Sequence, residues 1–339
     1  MHVLLTGASG FVGSHLLDQL MEQDVPTTLL LRATSSRRFL QPHLDRVRVV
    51  EGSLADGTAI RRALEGVTHV IHCAGATKAV RPSGLFAANQ QGTRNLVQAI
   101  NEREKDVECL VHVSSLAAGH PATAERPARE DDPPAPCSVY GASKLAAERE
   151  VREGCERPWV ILRPAAVYGP RDREFLPLFR LASRGWAPVF GGGRQQLSLV
   201  YVKDLAQTVW NALTQDAVRG ETLHVAAPGP VTTRELVLAI GDALGRRVRC
   251  VALPWLVLRA AAVGQGIAGR LTGRAGILTH GKLREVQAPG WVADTSRLQA
   301  RLGEVCRTPL GAGLRETARW YAAAGWLRPP GEVNRRTTR

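Results

Sequence analysis

Thr6-Gly7-Ala8-Ser9-Gly10-Phe11-Val12-Gly13 decides the reading of this chain. It follows the apolar run His2–Thr6, which reads as a strand. It opens Phe11–Gln23, where Val12, Leu16, Leu17 and Leu20 fall on one helical face. Three glycines spaced G-x-x-G-x-x-G at a strand–helix junction meet a specific need. The turn must be tight, the backbone must approach a pyrophosphate closely, and the helix must pack hard on the strand. The first N–H groups of the helix lack intrahelical acceptors and hold negative charge. Gly7, Gly10 and Gly13 therefore read as the turn of a dinucleotide site.

Working outward, short β-rich runs alternate with helical patterns. Thr27–Leu31, Val47–Val50, His69–Cys73, Cys109–Val113 and Trp159–Leu162 read as strands; Thr58–Leu64, Leu85–Asn101 and Val139–Arg152 read as helices. The rhythm predicts an α/β fold with a doubly wound parallel sheet of the Rossmann type. Gly119–Pro136 interrupts it with five prolines and the acidic cluster Glu130, Asp131 and Asp132, as a surface loop expected to be mobile without ligand. Beyond Gly169 the pattern is mixed: a turn at Gly191–Gly193, a strand at Leu197–Val202, and helices at Leu205–Thr214, Arg234–Leu244 and Leu314–Gly325. The expected division is a dinucleotide-binding domain over 1–168, its sheet completed by about 195–226. A smaller mixed α/β substrate-binding region follows over 169–327, then a flexible basic tail over 328–339.

Composition narrows the classes. With 44% hydrophobic and 22% charged residues, 339 residues can bury a sizeable core, which excludes a disordered chain. The formal charge is +13, and lysine supplies only five of the 44 basic residues. No zinc-finger spacing, RNA-binding signature or long basic run accompanies that charge, so a nucleic-acid partner is not expected. An arginine-rich background and a phosphorylated cofactor account for it. Cys73, Cys109, Cys137, Cys155, Cys250 and Cys306 are scattered without metal-ligand spacing and read as reduced thiols of a cytoplasmic protein, with no metal. The fold is expected to begin at residue 2, without a signal peptide. No apolar run reaches the roughly 18–20 residues that span a bilayer. Val251–Ala268 comes nearest, but Pro254, Arg259 and Gln265 interrupt it; it reads as a helix of the substrate-binding region, with contact to a membrane surface as the other reading.

Tyr140-Gly141-Ala142-Ser143-Lys144 places a phenol and an ammonium on one helical face. A phenol with a pKa near ~10 exchanges protons poorly at neutral pH, and a neighbouring lysine is expected to lower that value. Tyr140 can then protonate a carbonyl oxygen or deprotonate an alcohol as hydride moves, with Ser115 hydrogen-bonded to the same oxygen. Where an acidic residue would read the adenosine ribose, this chain has Arg32, followed by Ser35, Ser36, Arg37 and Arg38. Guanidinium groups there suit a 2′-phosphate, so NADP(H) is expected over NAD(H).

With these pieces in view the chain resembles an extended short-chain dehydrogenase/reductase of the NAD-dependent epimerase/dehydratase family. The matching segments are TGASGFVG at 6–13, HCAG at 72–75, NQQGTRNLV at 89–97, HVSS at 112–115, YGASK at 140–144, RPAAVYGP at 163–170 and YVKDLA at 201–206. The resemblance implies a catalytic triad of Ser115, Tyr140 and Lys144, with Lys144 also on the nicotinamide ribose. It implies Ser9, Phe11 and Val12 beside the pyrophosphate, Ser53 and Leu54 near adenine, Ala74, Gly75, Ala76 and Asn89 along the cofactor channel, and Pro164 and Val167 on the nicotinamide side. Ser53 stands where the family has Asp. Each has a plainer reading: Asn89 as a backbone tie, Cys73 as a buried thiol, Tyr168 and Tyr201 as core, His72 and His112 as strand packing. A homodimer is the family-level expectation.

Members of the family act on nucleotide sugars, sterols, flavonoids and other carbonyl compounds. Dehydratases carry Asp-Glu beside the catalytic hydroxyl, whereas Leu116-Ala117-Ala118 follows Ser115 here. Epimerases carry an arginine for the substrate diphosphate where this chain has Leu197, although Arg194 is near. Pro254–Leu258 and Ala260–Val263 add apolar surface and suggest a hydrophobic pocket. The chain is thus expected to be an oxidoreductase of the dihydroflavonol-reductase and 3β-hydroxysteroid-dehydrogenase type, acting on a lipophilic ketone or secondary alcohol. The alternatives are a nucleotide-sugar 4-epimerase and a non-catalytic dinucleotide sensor.

Overall fold

The computed structural model describes residues 1–103, 107–260, 264–265 and 280–327. The first half supplies β1 (Val3–Thr6), α1 (Phe11–Glu22), β2 (Thr27–Leu31), β3 (Arg48–Glu51), α2 (Gly57–Ala63), β4 (His69–His72), α3 (Pro82–Phe86), α4 (Gly92–Asn101), β5 (Cys109–Val113), α5 (Val139–Gly154) and β6 (Trp159–Pro164). Then come β7 (Ala166–Tyr168), α6 (Leu176–Ala182), β8 (Trp186–Phe190), β9 (Gln196–Leu197), β10 (Leu199–Tyr201), α7 (Val202–Thr214), β11 (Thr222–Val225), β12 (Val231–Thr232), α8 (Thr233–Ala243) and β13 (Arg249–Leu253). A helical turn at 255–260 precedes α9 (His280–Gln287), β14 (Gly290–Trp291), α10 (Ser296–Leu302) and α11 (Leu310–Ala323).

Seven parallel strands form one sheet in the order β11-β6-β5-β4-β1-β2-β3. Successive residues of a strand face opposite sides, and both sides are covered. Leu5, Leu29 and Val111 pack with Leu16 and Leu20 of α1 and Leu205 and Val209 of α7. Their neighbours Leu4, Leu30 and Leu110 pack with Ile60 of α2 and Leu96 and Ile100 of α4. The chain leaves β1 toward β3 and returns beyond β1 to β4, so the strand order reverses between β1 and β4. A crevice at the carboxyl ends of such strands is where this architecture binds ligands.

The sheet and α1, α2, α5, α7 and α8 lie where the sequence places them, within a few residues. Four regions differ. The helix expected over Val251–Ala268 begins instead as β13, whose Val251–Leu253 pairs with β8, and Pro254 separates that strand from the helical turn at 255–260; residues 266–268 lie outside the described residues. The helix expected over Leu85–Asn101 is interrupted by a π-type turn at Ala87–Gln91. Thr93 Oγ1 bonds the Asn89 carbonyl at 2.6 Å where the ladder widens, a side-chain bond that competes with the helical one. The strand expected over Leu197–Val202 changes partners at Ser198: β9 pairs with β12 and β14, and β10 pairs with β7. The loop at 119–136, expected to be mobile, is stitched to the C-terminal segment. Ala122 N bonds Gly290 O at 3.0 Å, Ala128 N bonds Val292 O at 2.9 Å, and Glu130 Oε1 accepts from His224 N at 2.9 Å. Its prolines end regular structure, and the bridges at Ala122 and Ala128 hold it in place. The expected tail over 328–339 and Ala261–Val263 lie outside the described residues.

Candidate active site

Ser115 caps the single turn Leu116–Ala118 that leaves β5, accepting from Ala117 N at 3.2 Å. Helix α5 starts behind Ser138, whose hydroxyl accepts from Gly141 N at 2.9 Å. The two turns press together at Gly141, where a Cβ would come within 2.1 Å of the Ala117 carbonyl oxygen. Glycine alone permits that approach, and it brings the phenol of Tyr140 near enough to Ser115 for that hydroxyl to lower its proton affinity. One helical turn on, Lys144 is buried, and its Nζ donates to the Val113 carbonyl at 2.9 Å. The structure thus brings Ser115, Tyr140 and Lys144 together at the carboxyl end of β5.

Burial sets the proton affinities. It pushes the Tyr140 phenol up to about 12, against the Ser115 hydrogen bond. It pushes the Lys144 ammonium down to about 8, against the pull of Cys73 and Glu148. The sequence leads one to expect a lysine-lowered phenol. Here desolvation raises it instead, the Glu285, Cys73 and Glu174 charges add to the rise, and the chain's own groups hold Tyr140 as a neutral proton donor at neutral pH.

A buried ion cluster supports this face, and sequence reasoning missed it. Glu148, fully buried, continues the Tyr140–Lys144 spacing by another four residues. Arg163 grips it with two bonds of 2.9 and 2.7 Å; Arg152 adds one of 2.7 Å and Ser114 Oγ one of 2.6 Å. Burial alone would raise its carboxyl, but the Arg163 bonds and charge, with Arg152 and Ser114, hold it below the usual range. The cluster ties β5 beside Ser115, α5 beside Lys144 and β6 beside Pro164 into one unit. A signal was present in the 140/144/148 spacing together with an arginine at the head of RPAAVYGP.

At the other edge of the crevice the glycine turn fits a pyrophosphate. Gly7 has φ +79°, and a Cβ on it would fall 2.6 Å from Ala74 N. On Gly13 a Cβ would fall 2.0 Å from Gly7 O. Helix α1 starts at Gly10 with no side-chain cap, so its first N–H groups face an open turn flanked by the partly exposed Ser9, Phe11 and Val12. Those residues, with Lys144 and Tyr140, would hold a dinucleotide whose nicotinamide supplies or accepts hydride.

The remaining expected residues divide. Arg32 and Arg37 are exposed beyond β2; Arg37 reaches Glu51 at 3.8 Å, while Arg38 lies over the Phe39 and Trp326 rings. Ser53 Oγ accepts from Ala55 N at 3.2 Å, closing its own turn, and the Leu54 carbonyl is held by Asn95 at 2.7 Å. Ala74, Gly75 and Ala76 follow β4 along the crevice. Asn89 does not line it: buried, it spends its amide on Ala76 N (2.7 Å), Ala76 O (3.0 Å) and Ser143 Oγ (2.8 Å), bracing the wall from behind. Pro164 is buried at the end of β6 and Val167 is partly exposed on β7. His72 bonds Thr6 and Thr93, and its ring lies 5.0 Å from that of buried His112; burial lowers the proton affinity of both. Burial pushes the Cys73 thiol up to about 11, so it is not a thiolate. Tyr168 and Tyr201 pack in the core beneath α11.

From the C-terminal side, Glu285 of α9 was also missed. Its carboxylate accepts from Ser138 Oγ at 2.6 Å, two residues before Tyr140, and its carbonyl accepts from Trp291 Nε1 at 2.9 Å. One hydroxyl thus joins the start of α5 to the C-terminal region. Nothing in sequence spacing links positions 138 and 285. Leu197 sits within the small β9 sheet and Arg194 is exposed. Trp255 stacks on Phe190 at 5.7 Å, and Leu258 packs with Leu283, a small cluster more than an enclosed pocket.

Residues 3–226 match the model of the NAD dependent epimerase/dehydratase family, and the chain belongs to that family. It is 30% identical over 327 residues to the ceramide reductase of Caulobacter vibrioides, covering 96% of each chain. Among solved structures it is similar to the UDP-glucose 4-epimerase of Thermus thermophilus in complex with NAD (25% identity, TM-score 0.76, 96% of this chain and 100% of that one). It is also similar to the dTDP-glucose 4,6-dehydratase of Streptomyces venezuelae with NAD bound (27% identity, TM-score 0.76, 97% and 100%). The relatives include reductases, epimerases and a dehydratase.

Proposed function

We propose that this protein is an NADP(H)-using oxidoreductase that interconverts a lipophilic ketone and its secondary alcohol. The observation that carries the reading is the Ser115–Tyr140 contact with Lys144 one turn behind it, across the crevice mouth from the glycine turn. Ser115 and Tyr140 bind the substrate oxygen, and in reduction Tyr140 gives it a proton while hydride reaches the carbon. Lys144, charged below about pH 8, offsets the negative charge left on the phenol oxygen. Leu116-Ala117-Ala118 after Ser115 offers no carboxylate for water elimination. The likeness to a reductase of a lipid along nearly the whole chain supports the same substrate class. In this reading residues 1–168, with the strand at Thr222–Val225, hold the nucleotide, residues 169–327 mainly hold substrate, and the protein works in the cytoplasm. Exposed Arg32 and Arg37 are the basis for NADP(H).

The test is to titrate NADPH and NADH separately, then to follow nicotinamide absorbance with a series of hydrophobic ketones. Tighter NADPH binding and stoichiometric oxidation with a long-chain ketone are expected. Clearly tighter NADH binding would refute the cofactor assignment. The second reading, a nucleotide-sugar 4-epimerase, draws on the epimerase relatives; it requires turnover of a nucleotide sugar with no net absorbance change.

A further inference from the structure

Between Asp242 and Glu285 the sequence has no acidic residue and eight basic ones, from Arg246 to Arg284. This stretch therefore holds a large part of the chain's +13 charge. It also carries, among the described residues, the most exposed large aliphatic side chain. In the helical turn at 255–260, Trp255 and Leu258 face inward, against Phe190 and Leu283. That contact fixes the opposite face outward: Leu256 is 74% exposed and Val257 49% exposed, with Arg259 exposed beside them. Farther along the same ribbon of β8 and β13, exposed Trp186 pairs with exposed Arg249, and Arg246 and Arg247 are exposed just before it.

We infer that this face docks on the surface of an anionic lipid bilayer. Arginines suit lipid phosphates, and aliphatic and indole side chains between them suit the boundary between headgroups and acyl chains. A second copy of the chain is a poor occupant, because the same patch would bring basic charge against basic charge. A nucleic acid would be drawn by the arginines but would leave Leu256 and Val257 without a partner. The patch is also joined to the chemistry. Leu258 packs on Leu283 of α9, and Glu285, two residues further on, bonds the Ser138 cap of the catalytic helix. Docking would thus present that helix to a substrate dissolved in the membrane; this purpose rests on the lipophilic-substrate reading, whereas the docking itself does not.

The test is co-sedimentation of the full chain with vesicles of phosphatidylcholine alone, or of phosphatidylcholine mixed with phosphatidylglycerol, without cofactor or substrate. Binding to the anionic vesicles, weakened by salt and negligible with phosphatidylcholine alone, is the expected result. The double variant Leu256→Glu, Val257→Glu should bind at least about tenfold more weakly. Its melting temperature should not change, since both side chains are exposed. No vesicle binding, equal binding by the double variant, or retention by duplex DNA in place of vesicles would overturn the inference. Tyr140→Phe should bind vesicles as the unchanged protein does, so a wrong assignment of the chemistry leaves this result standing.

Discussion

The face formed by β5, α5 and β6 and the face formed by β8, β13 and α9 are built on opposite rules. On the first, charges are buried and each is answered: Glu148 by Arg163, Arg152 and Ser114, and Lys144 by a carbonyl. On the second, charges of one sign stand exposed among exposed aliphatics, and a single carboxylate, Glu285, reaches inward. The contrast separates two tasks. Proton transfer needs groups held within tenths of an ångström in a dry setting, and only a closed network does that. Substrate choice tolerates looser packing and a surface open to a partner.

Substitutions should respond to that division. Tyr140→Phe keeps the ring and removes only the hydroxyl, so the turnover number should fall by roughly 10²–10⁴-fold with little change in melting temperature. Steady-state kinetics at saturating cofactor check it, and near-full activity would remove the phenol from the chemistry. Arg163→Met should act on stability instead. It removes the two-bond partner of the buried Glu148 carboxylate, leaving only Arg152 and Ser114, and should destabilise the fold by about 3 kcal/mol in denaturant unfolding. A loss below about 1 kcal/mol would mean that the cluster is hydrated and the contrast overstated.

Lys144 tests whether function costs stability within the buried face. A lysine normally at 10.5 and held near 8 binds its proton less tightly when folded, and its charge opposes folding by about 3 kcal/mol at neutral pH. The unfolded chain keeps that proton up to higher pH, so this penalty shrinks as pH rises from about 8 toward 10.5. Lys144→Met should therefore melt several degrees higher while losing most activity. In the unchanged protein, carbonyl reduction should slow as pH rises through about 8, where Lys144 loses its charge. A rate flat across that range would sever Lys144 from the proton transfer.

Smaller effects belong to the open face and the nucleotide edge. Arg32→Ala is expected to weaken NADPH by about tenfold and leave NADH nearly unchanged, a loss of one charge-assisted contact. Glu285→Gln should raise KM a few-fold more than it lowers kcat, because it loosens the tie to Ser138 without touching the reacting atoms. If kcat alone fell, Glu285 would belong to the chemistry and the two faces would not be separable.

The sequence made one face far more legible than the other, for a physical reason. Strand and helix periodicity, the glycine turn and the four-residue Tyr140–Lys144 spacing are local, so they survive in one dimension. The Glu148–Arg163 pair was half visible, since only one partner shares the helical spacing. The Ser138–Glu285 bond spans 147 residues and leaves no local trace. Short strands such as β9 and β12, two residues each, owe their form to partners distant in sequence. Gly141 was legible as part of a motif, but its purpose shows only against Ala117.

The backbone bridges from Ala122 and Ala128 to the segment at 290–294 have a consequence for synthesis. A ribosome releases β1 to β6 early, yet the edge strand at Thr222–Val225 and the anchor at Trp291 emerge much later. The nascent protein must keep the proline-rich excursion and a bare sheet edge from sticking to other chains until most of its length is out. Of all stages in its life, that interval is when a chaperone has most to offer it.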